Sequence, residues 1–248
     1  MPKSRPYGRA DEWIPTRPAA PGIDRGRPPG VGPLAIFDLD NTLVDRSSAF
    51  ARWAEGFARQ HGLGATAAAW LIAADEDGFA HRSGVFERAR AHFGLDEPVD
   101  RLLAAYSLDY PAGFRPDPAV NGALVRLREA GWRVAVATNG PPTQRLKIDN
   151  AGLTPWLDAV CVSGELGFAK PDRRIFEAAC AQAGLAPEAL GRAWMVGDTA
   201  SVDIKGADDL GMRSAWLHRG RRWEEHAFRP DVVVGSIREA VEHLLAND

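Results

Sequence analysis

Two aspartates one residue apart, Asp38 and Asp40, close the short apolar run Leu34-Ala35-Ile36-Phe37 and are followed by Asn41 and Thr42. Two ionised carboxylates at that spacing repel each other, and a bound cation or a proton on one of them resolves the conflict. Three further groups able to do chemistry follow in order, each after its own apolar run: Thr138-Asn139-Gly140, Lys170-Pro171, and Gly197-Asp198 with Asp203 downstream. If these converge, Asp38, Asp198 and Asp203 form an all-oxygen donor set, which suits Mg²⁺ rather than zinc. No His/Cys set has zinc spacing. Thr138 offers a hydroxyl, while Asn139 and Gly140 offer backbone N–H groups at the start of a helix, together a phosphate cradle. Lys170 adds a positive charge. A carboxylate nucleophile, a cation, a lysine and a hydroxyl fit phosphoryl transfer. Asp40 is then placed to protonate the leaving oxygen and afterwards to deprotonate an attacking water.

Such groups meet only if the apolar runs are neighbouring strands, because ligands in open α/β sheets bind outside the carboxyl ends of the strands. Strands are expected at 34–37, 133–137, 159–162, 193–196, 213–217 and 232–234, alternating with helices from Asp117 onward. That alternation indicates a parallel sheet covered on both faces. Asp117-Pro118 opens one helix as N-cap and N1, and Gly131 ends it. Ser236, with Glu239 three residues later, reads as a capping box for the last helix. A helix is also expected from Val202 to Asp209. Between the first and second strands the pattern is helical throughout, with one helix carrying Phe50, Trp53, Ala54, Phe57 and Ala58 and stopped by Gly62, and others at 65–74, 83–93 (Ser83 as N-cap) and 99–106. Hinges are expected near Val44–Ser47 and Ala112–Asp117.

Residues 1–32 differ from the rest: seven prolines, five arginines and no apolar period. Such a segment buries too little apolar surface to offset its ordering entropy and reads as an extended or disordered arm. Trp13 and Ile14 are the residues able to pin it to the domain or to a neighbouring subunit. Across all 248 residues the composition is 45 % hydrophobic and 25 % charged, as in ordinary globular proteins. A net charge of −3 gives no general reason to expect a nucleic-acid or membrane partner, and no apolar run approaches a membrane span. Two cysteines, Cys161 and Cys180, fit a reducing cytoplasm and buried, unreactive thiols. An oligomer is left open.

The four motifs resemble those of the haloacid dehalogenase (HAD) superfamily. The Asp-x-Asp-x-Thr motif is Asp38 to Thr42, the second-motif Ser/Thr is Thr138, the motif lysine is Lys170, and the acidic motif is Gly197-Asp198 with Asp203. The resemblance spans residues 34–246. It implies an α/β fold with a Rossmann-like core, residues 33–45 and 114–248, and a helical cap, residues 46–113, inserted between the first and second motifs. It further implies Asp38 as phosphoryl acceptor, Asp40 as acid/base, and Mg²⁺ held by Asp38, the Asp40 carbonyl and Asp198 with Asp203 in support. The runs Thr138-Asn139-Gly140 with Gln144 and Lys147, and Ser163 to Pro171, are most similar to the branch acting on sugar phosphates, N-acylneuraminate phosphate and nucleotides. Dehalogenases of the superfamily lack the second aspartate, so Asp40 favours a small-molecule phosphate ester as substrate. A phosphomutase similar to β-phosphoglucomutase, and a non-catalytic phosphate-binding regulatory module, are the alternatives. Substrate selection is assigned to the cap, with Arg82 and Arg88 as substrate-binding residues and His81, Arg90 and His92 as further polar candidates. Arg219, Arg221 and Arg222 read as a solvated loop after the fifth strand.

Overall fold

The structure, a computed structural model, describes residues 32–247. The proline-rich arm, with Trp13 and Ile14, lies outside the described residues. Six parallel strands form one sheet: β1 (Leu34–Phe37), β2 (Arg133–Thr138), β3 (Ala159–Val162), β4 (Trp194–Gly197), β5 (Arg213–Leu217) and β6 (Val232–Val234). Their spatial order is β3-β2-β1-β4-β5-β6. The first strand is therefore central, with β2 and β4 on either side of it, Ile36 facing Ala135 on one and Met195 on the other. The strand order reverses direction at β1, which is where an open α/β sheet leaves a crevice at its carboxyl edge.

Alternation within the strands builds two cores. Ala35, Phe37, Val134, Val136, Trp194 and Val196 face one way and pack with Leu124 and Leu127 of α5 (Pro118–Glu129) and Val241 and Leu244 of α10 (Ile237–Ala246). Leu34, Ile36, Ala135, Ala137 and Met195 face the other way, with Cys161, and meet Ile175, Phe176, Ala179 and Cys180 of α8 (Arg173–Gln182). Strands buried on both faces have to be apolar nearly throughout, which is why they read as continuous runs. Both cysteines are buried in the second core.

Between β1 and β2 lie α1 (Arg46–Gln60), α2 (Ala67–Asp75), α3 (Arg82–Phe93) and α4 (Val99–Asp109). They share an apolar cluster of their own, in which Ala54, Phe57, Leu71, Phe86 and Leu102 are buried. Trp53 meets Tyr106 edge-to-face at 4.8 Å within it, a favoured aromatic geometry. Among the described residues no helix is long and apolar enough to cross a membrane.

Several element ends differ from expectation. Helix α3 starts at Arg82 with His81 before it; Ser83 sits in the first turn, and its hydroxyl meets His81 Nδ1 at 2.9 Å. The Ser236 hydroxyl accepts from the Glu239 N–H at 3.2 Å, but Glu239 reaches back to the Gly235 N–H, one residue before the cap. The helix expected at 202–209 is one turn of π-helix, Ala200–Ile204, leading into α9 (Lys205–Asp208). Such turns concentrate at functional sites. Here the turn accompanies the fold-back of Asp203, whose Oδ2 accepts from the Thr199 N–H at 3.0 Å. Two shorter helices, α6 (Gln144–Asn150) and α7 (Ser163–Leu166), complete the chain.

Candidate active site

Asp38 is the first residue after β1, and its N–H donates to the Val196 carbonyl of β4 at 2.9 Å. The strand thus ends with its backbone still paired, and the side chain emerges at the crevice. A cavity of about 330 Å³ opens there, lined by Asp38, Asp40, Thr138, Asn139, Lys170, Asp198 and Asp203 together with Asn41, Arg46 and the 77–79 segment between α2 and α3. Residues far apart in sequence therefore share one pocket.

Lys170 lies between two carboxylates. Its Nζ is 2.6 Å from Asp38 Oδ1 and 2.8 Å from Asp203 Oδ1, and the residue is 4 % exposed. Burial works against its charge, but Asp203 and Asp38 beside it hold its pKa above the ordinary lysine value. Asp38 is raised to about 7: burial pushes it up, Lys170 pulls it down, and Asp203 and Asp40 push it up. Asp203 is likewise raised by burial, with Lys170 opposing. The lysine is aimed from behind by Asn139. The Asn139 carboxamide accepts from the Lys170 N–H at 2.8 Å and donates to the Lys170 carbonyl at 2.9 Å, clamping that backbone on both sides.

Asp40 is held from the α6 side. Lys147 Nζ is 2.8 Å from Asp40 Oδ1 and 2.7 Å from Oδ2, and Gln144 Nε2 donates to Oδ2 at 2.9 Å. Burial disfavours the Asp40 charge, but Lys147 and Gln144 outweigh it and hold the carboxyl below its usual range. Burial lowers the Lys147 pKa, against the pull of Asp40. In this state Asp40 is a carboxylate, so it can accept a proton directly but must receive one before it can donate.

Asp198 ends on the opposite wall. Arg219 Nη1 and Arg221 Nη2 each lie 3.0 Å from its Oδ2, and the Thr199 hydroxyl lies 3.1 Å from its Oδ1. Burial raises the Asp198 pKa, and Asp38 adds to that. Oxygens of Asp38, Asp198 and Asp203 lie within 4.8 Å of one another. Three hard, converging carboxylates without histidine or cysteine fit a cation such as Mg²⁺. Because protons compete for the same oxygens, Mg²⁺ should bind more tightly as pH rises through about 7, approaching tenfold per unit below it. Calorimetric titration at pH 6 and pH 8 checks this; equal affinities would contradict it.

The geometry corrects several expectations. The Gly140 N–H does not face a ligand: it donates to the Ser163 hydroxyl at 2.9 Å. The Thr138 hydroxyl accepts from Gln144 Nε2 at 2.7 Å, which leaves its own O–H to donate, and the residue lines the cavity. The Asn139 carboxamide serves the lysine, while the residue, expected in the cradle through its backbone N–H, lines the cavity. Arg82 is drawn away by buried Asp75, 2.6 Å distant, and lies over the Phe50 and Tyr106 rings. Arg88 is exposed and donates to the Ala74 carbonyl at 2.9 Å. Neither lines the cavity. Arg219, Arg221 and Arg222 are all exposed, as a solvated loop should be, but Arg219 and Arg221 also hold Asp198. Nothing in the local sequence marks Asp77 or Arg46 as neighbours of the aspartates; their pairing depends on the fold.

Two glycines are required by closeness. A Cβ on Gly197 would run into the Asp203 carboxylate, and one on Gly164 would lie 2.7 Å from the Gly140 carbonyl oxygen. The latter contact keeps the loop after β2 against the start of α7, where Ser163 meets Gly140.

A family model described as haloacid dehalogenase-like hydrolase matches residues 33–211, which contain every one of these aspartates and Lys170. The chain belongs to the haloacid dehalogenase-like hydrolases. The hydrolase is 34 % identical over 227 residues to a phosphoserine phosphatase of Thermus thermophilus, covering 87 % of this chain and 88 % of that protein. It is 32 % identical over 194 residues to a glyceraldehyde 3-phosphate phosphatase of Methanothermobacter thermautotrophicus, covering 71 % and 81 %. Among solved structures, the magnesium-bound HAD-hydrolase YfnB of Bacillus subtilis superposes with a TM-score of 0.70 at 21 % identity, covering 86 % of this chain and 98 % of that one. At that identity the likeness concerns the fold alone.

Proposed function

We propose that the hydrolase is a Mg²⁺-dependent phosphatase, releasing phosphate from a small phosphate monoester through an aspartyl-phosphate on Asp38. The carrying observation is that Asp38 and Asp40 line one cavity with Lys170 2.6 Å from Asp38. Ester cleavage needs both a nucleophile and a second group that moves a proton. An Asp38 oxygen attacks phosphorus as the bond to the leaving oxygen breaks, and that oxygen takes a proton from Asp40. Water then attacks the same phosphorus, gives its proton to Asp40, and frees Asp38 as inorganic phosphate departs. Asp38, Asp198 and the Asp40 carbonyl, with Asp203 in support, would hold Mg²⁺, which when bound offsets the repulsion between an anionic nucleophile and an anionic ester. Lys170 offsets the same charge.

Asp40 is ionised at rest, so its proton has a source in Lys147, which touches both of its oxygens. Lys147→Met removes the charge that holds Asp40 ionised, so Asp40 should keep its proton to higher pH and the pH profile of kcat for alkyl phosphates should shift upward, with p-nitrophenyl phosphate shifting far less because its leaving group needs no proton. Equal shifts on both ester types would remove Lys147 from control of that proton.

The helices α1–α4 act in this reading as a cap that helps exclude water from the cavity. The setting is cytoplasmic, and no nucleic-acid or membrane partner is invoked. The relatives named for phosphoserine and glyceraldehyde 3-phosphate put three-carbon phosphate esters first in a substrate panel. Release of free phosphate from panel members with Mg²⁺, and none after EDTA, is the expected result. Return of the phosphoryl group to substrate would favour a mutase. Binding without any turnover would favour a regulatory module.

A further inference from the structure

Strain in this chain is gathered at one junction. Among the described residues, the non-glycine positions with positive φ are Asn41 (59°), Glu76 (52°), Asp77 (52°) and Arg219 (49°). Glu76 and Asp77 form the tip of the turn between α2 and α3, with Gly78 (95°) after them. Asn41 and Arg219 come from two core loops, after β1 and after β5. Asp77 touches two of the others, Asn41 and Arg219. Asp77 Oδ1 accepts from Asn41 Nδ2 at 3.2 Å and from the Ser47 hydroxyl at 2.9 Å, and Asp77 Oδ2 lies 3.1 Å from Arg219 Nη1. Arg219 Nη2 donates to the Ser47 oxygen at 2.8 Å.

Left-handed conformations are costly for residues with a Cβ and persist where surrounding contacts over-determine them. Here the contacts that hold them cross from the helical insert to the sheet. Arg219 Nη1 also lies 3.0 Å from Asp198 Oδ2. One guanidinium nitrogen is thus shared between the tip of the insert and a carboxylate of the active-site wall. The same tip, through Asp77, Gly78 and Phe79, lines the cavity above Asp38.

We propose that the Asp77–Arg219–Asp198 bridge is a latch that holds the tip of the helical insert over the cavity and couples its placement to Asp198. Arg219 is a positioning residue: it acts through Asp77 and Asp198. Its effect on turnover rests on the phosphatase reading, but the latch itself does not. A cation on Asp198 competes with Arg219 for that carboxylate and leaves the guanidinium to Asp77. Binding of Mg²⁺ therefore tightens the tip.

Amide hydrogen exchange across residues 75–80 tests this in the full chain, with Arg219→Ala, Asp77→Asn and the double variant. Each single change should speed exchange at the tip by about five- to tenfold, and the double variant should add little, because both break the shared Asp77–Arg219 contact. Arg219→Lys should restore part of the protection. Mg²⁺ should slow tip exchange in the parent protein and not in Arg219→Ala. Unchanged tip exchange in Arg219→Ala, or additive effects in the double variant, would overturn the latch. If calorimetry shows Mg²⁺ binding but the tip responds equally in both proteins, or in neither, the link to Asp198 is wrong. If calorimetry shows no Mg²⁺ binding, the metal reading fails, and the variants without metal still decide the latch. In kinetics, Arg219→Ala should move KM and kcat together. A rise in KM alone with a protected tip would make Arg219 a direct substrate contact and overturn the proposal.

Discussion

Asp38→Asn should leave a folded protein that releases phosphate at least about four orders of magnitude more slowly than the parent. The amide keeps an oxygen to accept from Lys170, so the 2.6 Å contact can persist as a hydrogen bond. What disappears is the charge and nucleophilicity of the carboxylate. The fold is not expected to suffer. Burial raises the Asp38 pKa from 3.8 to about 7, so the folded chain binds that proton more tightly than the unfolded chain does. Asp38 therefore favours folding most below about pH 3.8, and the benefit is lost as pH rises to about 7. An asparagine is free of that loss. In EDTA at pH 8 the variant should melt no lower than the parent. Turnover within tenfold of the parent would refute the nucleophile, and a collapse in melting temperature would show that Asp38 is mainly structural.

Lys170→Met should affect both rate and stability. The ammonium is in contact with Asp38 and Asp203 and almost wholly buried. Removing it leaves two buried carboxylates facing each other, and breaking a buried ion pair on one side costs about 3–5 kcal/mol. For the reaction, unit charges about 4 Å apart at an effective dielectric of about 20 interact by about 4 kcal/mol, or about three orders of magnitude in rate. The expected outcome is a kcat/KM about a thousandfold lower and a lower melting temperature in EDTA. Mg²⁺ should recover part of the stability, since the carboxylates then have another positive partner. Kinetics within fivefold of the parent together with an unchanged melt would show that Lys170 does neither job.

The parts of this protein that could be read from its sequence are those governed by local pattern. Each of the six strands is an apolar run long enough for a strand and too short for a helix, because a parallel sheet hides both faces. Asp117 and Pro118 announced their helix, and Asp117 Oδ1 does accept from the Ala119 N–H at 2.8 Å. Residue type alone says less about what a side chain touches. Asn139 was expected in a phosphate cradle through its backbone N–H, and nothing in its type says that its carboxamide is taken up by the backbone of Lys170, 31 positions away. Arg82 stood on a helix expected to meet substrate, but Asp75, buried at 1 % exposure, takes its charge together with that of Arg46. Those pairings follow from how α1, α2 and α3 stack, which periodicity cannot specify. Likewise Ser83 is the better cap by type, yet the N-cap is His81, two residues earlier.

The two thiols locked into one face of the sheet give the molecule a built-in tracer of its own opening. Cys161, on β3, and Cys180, on α8, are both fully covered, and burial pushes the Cys161 thiol up to about 11. A thiol in that state is neither ionised nor reachable at neutral pH. Alkylation of the native protein therefore has to wait for α8 to lift from the strands. The labelling rate of unmodified protein measures how often that layer separates, with no engineered dye and no substitution at the catalytic edge.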